Sequence, residues 1–178
     1  RAALELGGKS AAIVCADADP VKIVPELAKA SVINSGQACA AQTRILIPRS
    51  RYQEYVTALA DAYNSMIVGN PSDPETELGP MIHERHFNRV KACIQAGVEE
   101  GARLVTGGGT PAHLEPGYFV EPTLLADVTN DMQVAREEIF GPVVCAIAYD
   151  DIDEAVRIAN DSEMGLSGSV WTADEEAG

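Results

Sequence analysis

Three short segments of the chain set a reactive or ionisable side chain among glycines and other small residues. The first is Leu4-Glu5-Leu6-Gly7-Gly8-Lys9. A carboxylate beside a Gly-Gly turn lies where the backbone can approach a ligand closely, since neither glycine carries a Cβ. The alternative is a surface glutamate on an ordinary turn. The second is Asn34-Ser35-Gly36-Gln37-Ala38-Cys39-Ala40-Ala41. Here a thiol stands on a loop joining helix to strand, and its small neighbours leave room for a substrate. A thiol forms its thiolate near neutral pH, and the thiolate attacks carbonyl carbon well. An inert core cysteine is the alternative, because free cysteine is among the most often buried residues. The third is Arg136-Glu137-Glu138-Ile139-Phe140-Gly141-Pro142, two acids, an aromatic and a Gly-Pro turn ahead of an apolar run. A solvated acidic turn is its alternative reading.

The elements that must position these segments alternate. Residues 10–15 read as a buried strand, stopped by Asp17-Ala18-Asp19-Pro20, a turn and helix start. Residues 21–33 place Ile23, Val24, Leu27, Ala30 and Ile33 at helical spacing, with Pro25 assigned to the first turn. Asn34-Ser35-Gly36 reads as the stop. Residues 44–47 are a second strand closed by Pro48, and Ser50 is expected to cap a helix running to about Met66. Tyr52, Tyr55, Val56, Leu59 and Tyr63 share one face of that helix. A surface turn at 69–74, a helix over 84–98 and a strand over 103–106 follow. Residues 107–111 form a loop, and 118–125 are extended around Pro122. A strand at 143–148, a helix at 151–160 and a strand at 166–171 complete the pattern. Strands alternating with helices predict an α/β fold, a mainly parallel sheet with helices on both faces. That pattern is silent about function.

Composition narrows the partners. The 178 residues suffice for one domain with a real core, and no repeat or low-complexity tract interrupts them. Hydrophobic residues at 46% and charged residues at 22% are the usage of a folded chain. Thirteen Lys and Arg against 27 Asp and Glu give a net charge of −14, a field that repels phosphate backbones and anionic lipid. Neither nucleic acid nor membrane is therefore an expected partner. The apolar runs fall far short of the roughly 20 residues a bilayer requires, and no basic-plus-apolar leader pattern opens the chain. The cysteines, Cys15, Cys39, Cys93 and Cys145, are widely separated, with no CxxC pair and no histidine at ligand spacing. Neither a disulfide scaffold nor a metal site is expected, and a reducing cytoplasm is the default compartment. Cys15 and Cys145 fall in apolar strands and Cys93 on a helix with apolar neighbours, so all three read as core.

Taken together, the three segments resemble the aldehyde dehydrogenase superfamily. Leu4-Glu5-Leu6-Gly7-Gly8-Lys9-Ser10-Ala11 is similar to its glutamate signature, Gly36-Gln37-Ala38-Cys39 to its cysteine signature, and Glu137-Glu138-Ile139-Phe140-Gly141-Pro142 to a later cofactor-contact motif. Their order fits, with Glu5 and Cys39 34 positions apart. Gly117-Tyr118-Phe119-Val120-Glu121-Pro122-Thr123, Leu78-Gly79-Pro80, and Ala159-Asn160 followed by Gly165-Leu166 fit as well.

The resemblance implies roles. Cys39 is the expected nucleophile, forming a thiohemiacetal whose oxyanion accepts from the Cys39 backbone N–H. Hydride passes to NAD or NADP, and Glu5 is the expected general base that activates water against the remaining thioester. Glu138 resembles the residue that binds the nicotinamide-side ribose, Phe140 the aromatic packed beside the nicotinamide, and Gly7 lies in the cofactor-facing turn. His86 falls near a ribose-contacting position, although a plain surface histidine is the simpler reading. Lys9 reads as a solvated or turn-stabilising charge and Asn34 as a helix end. The resemblance further implies that an upstream dinucleotide-binding domain, a helper asparagine and a downstream oligomerising strand lie outside residues 1–178. Those residues are then the thiol-bearing catalytic domain of a longer homo-oligomer that acts on a small aldehyde. Alone, they are expected to be inactive and to bind cofactor negligibly. A coenzyme A-acylating relative would lack the hydrolytic glutamate. A cysteine hydrolase needs a paired histidine, and His83, His86 and His113 sit in no such context.

Overall fold

Strands covered on both faces suit runs of consecutive apolar residues, and such runs build the middle of a single six-stranded sheet. The computed structural model describes residues 1–174 and 176. Its strands are β1 (Ala11–Val14), β2 (Arg44–Pro48), β3 (Arg103–Thr106), β4 (Thr123–Ala126), β5 (Val143–Tyr149) and β6 (Gly168–Trp171). They lie in the order β3-β4-β5-β2-β1-β6. Every adjacent pair is parallel except β3 with β4. In register, Ala12 faces Ile45 and Arg44 faces Cys145.

Side chains alternate between the faces of a strand, which divides the core in two. Leu46, Leu125, Cys145 and Ile147 pack against Val90, Ile94, Val134 and Ile158. Those partners come from α3 (Glu84–Glu99), α4 (Gln133–Arg136) and α5 (Ile152–Asn160). On the other face Ile45, Ile47, Val144 and Ala146 meet Leu27, Tyr55, Leu59 and Tyr63. These belong to α1 (Pro20–Ser31) and α2 (Tyr52–Ser65). The expected fold class is therefore the observed one. Among the described residues, no helix is long and apolar enough to cross a membrane.

The helix start expected at residues 17–20 holds, whereas other local expectations change. Asp19 caps α1, its carboxylate accepting the Val21 N–H at 3.0 Å. Pro25 lies inside the helix beyond the first turn, where it removes one intrahelical bond. It is exposed, so water can serve the carbonyl it leaves unpaired. Ser50 does not cap α2. Residues Arg49–Arg51 form a 3-10 turn, and Arg51 stands at the N-cap without a capping side chain. The extended segment becomes strand only from Thr123, because Pro122 has no N–H for a ladder. The single-turn helix α4 escapes the periodicity reading, being shorter than any window that detects a helix.

The glycine-rich segments share one placement. Residues 1–10 lead into β1, 37–43 into β2, 137–142 into β5 and 161–167 into β6. Because these four strands are parallel neighbours, the loops gather at the amino ends of the strands.

Candidate active site

The cysteine loop begins with an unusual backbone. α1 ends at Ser31 with Val32 as its C-cap, so Asn34 does not end the helix. Asn34, Ser35 and Gly36 form a separate turn in which φ is +52°, +57° and +70°. A left-handed conformation costs a non-glycine residue roughly 1–2 kcal/mol, so the turn needs outside support. Asn34 Nδ2 donates to the Gln37 carbonyl at 3.0 Å, and Ser35 Oγ donates to the Gly79 carbonyl at 3.0 Å. Gln37 accepts the Ile82 N–H on Oε1 at 3.0 Å and donates from Nε2 to the Pro80 carbonyl at 3.3 Å. Gly36 has a second reason to be glycine, since a Cβ there would come within 2.0 Å of the Gly141 oxygen.

Cys39 follows in a tight turn closed by the Ala41 N–H on the Ala38 carbonyl at 3.1 Å. The thiol is half-buried, not sealed in the core. Beyond the turn, Gln42 Oε1 accepts Ser169 Oγ at 2.7 Å, and Trp171 Nε1 donates to the same Ser169 Oγ at 2.7 Å. The cysteine loop is thereby tied to β6.

The glycine pair of the first segment meets both other segments. A Cβ on Gly8 would lie 2.2 Å from the Cys39 carbonyl oxygen, and one on Gly7 would lie 2.6 Å from Glu138 Oε2. The Gly8 N–H donates to Glu138 Oε1 at 3.0 Å. Gly7, Cys39 and Glu138 are thus brought together. Glu5 is exposed, and its carboxylate has no hydrogen-bond partner among the described residues.

The Glu138 loop is gripped from α3. Arg89 donates from Nη2 to the Glu138 carbonyl and from Nη1 to the Ile139 carbonyl, both at 2.8 Å. His86 Nε2 donates to the Phe140 carbonyl at 2.5 Å. His86 is therefore not a plain surface residue. Phe140 has φ +59° and is 37% exposed. Arg89 escapes the sequence reading, for backbone carbonyls leave no trace among residue types.

Two cations are buried, Lys9 against expectation and Arg44 without one. Lys9 is 2% exposed, and its Nζ has no hydrogen-bond partner among the described residues, so it is neither solvated nor a turn staple. Burial lowers the pKa of its ammonium below the usual lysine value. Arg44, also 2% exposed, is by contrast well served. Its guanidinium donates to the carbonyls of Lys9, Ile158 and Ala159 at 2.9 Å each and to Asn130 Oδ1 at 2.8 Å. Two of those carbonyls lie in the last turn of α5, where helical acceptors lack intrahelical donors. A cation heading an apolar strand was the available signal.

The remaining thiols are less uniform than expected: Cys145 is buried, whereas Cys15 and Cys93 are half-buried. Burial pushes the pKa of all three up, away from the nucleophilic thiolate. Among the described residues, no group of three or more His, Cys, Asp or Glu could hold a metal ion.

With this geometry in place, comparison with known proteins is informative. A family model described as the aldehyde dehydrogenase family matches residues 1–178. A geranial dehydrogenase from Castellaniella defragrans is 51% identical over 173 residues, covering 97% of this chain and 36% of the relative. A putative aldehyde dehydrogenase from Staphylococcus haemolyticus is 47% identical, covering 99% of this chain and 37% of the relative. A Mycobacterium tuberculosis aldehyde dehydrogenase complexed with NAD+ superposes with a TM-score of 0.96 at 52% identity, over 98% of this chain and 36% of its own. A cysteine-to-alanine mutant of Pseudomonas syringae aldehyde dehydrogenase C, complexed with NAD+ and octanal, superposes with a TM-score of 0.95 at 46% identity, over 97% and 36%. The chain thus spans little more than a third of the length of these relatives.

Proposed function

Because the chain belongs to the aldehyde dehydrogenase family, we propose that residues 1–178 are the thiol-bearing catalytic domain of a longer enzyme that oxidises an aldehyde to a carboxylic acid with NAD or NADP. We place that enzyme in the cytoplasm as a homo-oligomer. The observation that carries the reading is the meeting of three segments distant in sequence: Gly8 presses on the Cys39 carbonyl while its N–H holds Glu138.

In this reading the Cys39 thiolate adds to the aldehyde carbon, forming a C–S bond and moving the carbonyl pair onto oxygen. The Cys39 N–H, in its tight turn, donates to that oxyanion. Ala38 and Ala40 leave space and place no charge beside the sulfur, which suits an uncharged aldehyde such as the octanal held by the Pseudomonas protein. Once the carbon has lost hydride, a thioester remains on Cys39. Glu5 takes a proton from water as the water oxygen attacks, the C–S bond breaks and the acid departs. The exposure of Glu5 leaves water free to reach it.

The residues present fit the nicotinamide half of the cofactor. Glu138 Oε1 is held by Gly8, which leaves Oε2 to accept ribose hydroxyls. Gly7 has no Cβ to crowd that oxygen, and the exposed Phe140 ring offers an apolar face. When bound, the cofactor supplies the hydride acceptor.

The test uses the full-length protein. Cys39→Ala is expected to abolish aldehyde-dependent cofactor reduction. Glu5→Gln is expected to retain Cys39 alkylation by iodoacetamide and to accumulate a covalent acyl-enzyme visible by intact mass. Oxidation that survives Cys39→Ala overturns the reading.

A further inference from the structure

We infer that Arg89 is a positioning residue for the cofactor-facing loop, fixing the aim of Glu138 and Phe140 through the main chain. The inference extends the reading above, in which those two side chains face the nicotinamide half. Three successive carbonyls, those of Glu138, Ile139 and Phe140, are all drawn toward α3. Arg89 takes two of them with one fork, and His86, one turn earlier on the same helix face, takes the third. Val90, the next residue, presses its methyls on Gly141, where a Cβ would meet Cγ2 at 2.7 Å.

The loop needs this grip. Phe140 is a bulky residue in the left-handed region, a conformation that persists only where the surroundings enforce it. With the carbonyls turned to α3, the Glu138 carboxylate meets the Gly8 N–H and Phe140 stays partly exposed. Arg89 spends both its Nη groups on the main chain. A guanidinium can do this because its donors are rigidly splayed; a lysine ammonium is a single point and cannot hold two carbonyls in the same way.

Hydrogen exchange and cofactor titration of the full-length protein test the inference. In Arg89→Ala, exchange of the Gly8 amide, which donates to Glu138 Oε1, is expected to quicken about tenfold or more while β1 and β2 keep their protection. Cofactor affinity should fall by about tenfold to a hundredfold, the loss of one or two charge-assisted hydrogen bonds. Alkylation of Cys39 by iodoacetamide should hold its rate. Arg89→Lys should behave like Arg89→Ala, and added guanidinium ion should restore part of the affinity of Arg89→Ala alone. Should Arg89→Ala not fold, Arg89→Lys is read by the same two measurements. Unchanged exchange and affinity in a folded variant overturn the inference. If exchange quickens but Glu138→Gln leaves cofactor affinity untouched, the grip stands and the role of Glu138 in the functional reading fails.

Discussion

Gly8 lies against the main chain of Cys39, so close that a Cβ would stand 2.2 Å from the Cys39 carbonyl oxygen. Main chain cannot swing aside as a flexible side chain does. Gly8→Ala is therefore expected to displace the turn at residues 38–41 and to change the rate of Cys39 alkylation about tenfold. Gly7→Ala meets only the far end of the Glu138 side chain and should leave that rate alone while weakening cofactor binding. Iodoacetamide kinetics on the two variants separate the cases, and equal rates would contradict the packing.

Gly36 combines a φ of +70° with a backbone neighbour at 2.0 Å from any Cβ. The two penalties add, so Gly36→Ala should cost about 3 kcal/mol or more. Denaturant unfolding measures it. Asn34→Gly, at φ +52°, loses a side-chain bond but gains conformational ease and should fall within about 1 kcal/mol of the parent.

Arg44 serves three carbonyls and an amide oxygen from a buried position. Arg44→Met fills similar volume but strands those acceptors. A loss of about 3 kcal/mol or more is expected, read as a lowered unfolding midpoint. A loss below about 1 kcal/mol would mean that water reaches α5's last turn.

Lys9 predicts a pH effect of definite sign. In the unfolded chain its ammonium holds its proton up to about the usual 10.5, whereas burial lowers the folded value. Below the folded value both states are charged and the folded one bears the burial penalty. Between the two values the unfolded state binds more protons, so stability rises with pH. Lys9→Met should therefore be more stable than the parent at neutral pH, with the gap closing as pH climbs toward 10.5. Parallel unfolding curves over that range check it; a constant gap would argue against a buried charge.

Much of the fold is legible from residue types because strands buried on both faces read as apolar runs; 10–15 and 143–148 are examples. Lys9 is misjudged, and the burial of Arg44 goes unread, for the converse reason. Charge is assigned to solvent by default, yet each heads such a run and is carried inward by it. Cys39 stands out because its thiol lies among small residues, whereas the expected role of Glu138 rests on the family resemblance alone. Arg89, whose partners are carbonyls of another segment, becomes visible only once the chain is folded. The left-handed turn at 34–36 is half legible: Gly36 signals a stop, but nothing marks Ser35 as a second non-glycine residue with positive φ.

Parallel strands give the domain two rims of unequal consequence. The loops at 7–8, 36–39 and 137–141 crowd one rim, while 15–19, 49–51 and 150–151 occupy the opposite one. On the proposed function, a saturation library of the full-length protein should sort along that axis. Apart from Gly36, whose conformation is structural, variants on the first rim should lose turnover at normal abundance, and those on the second should lose abundance at normal turnover per molecule. Insertions and reporter tags belong on the second rim, where the sheet itself insulates the chemistry from whatever is added.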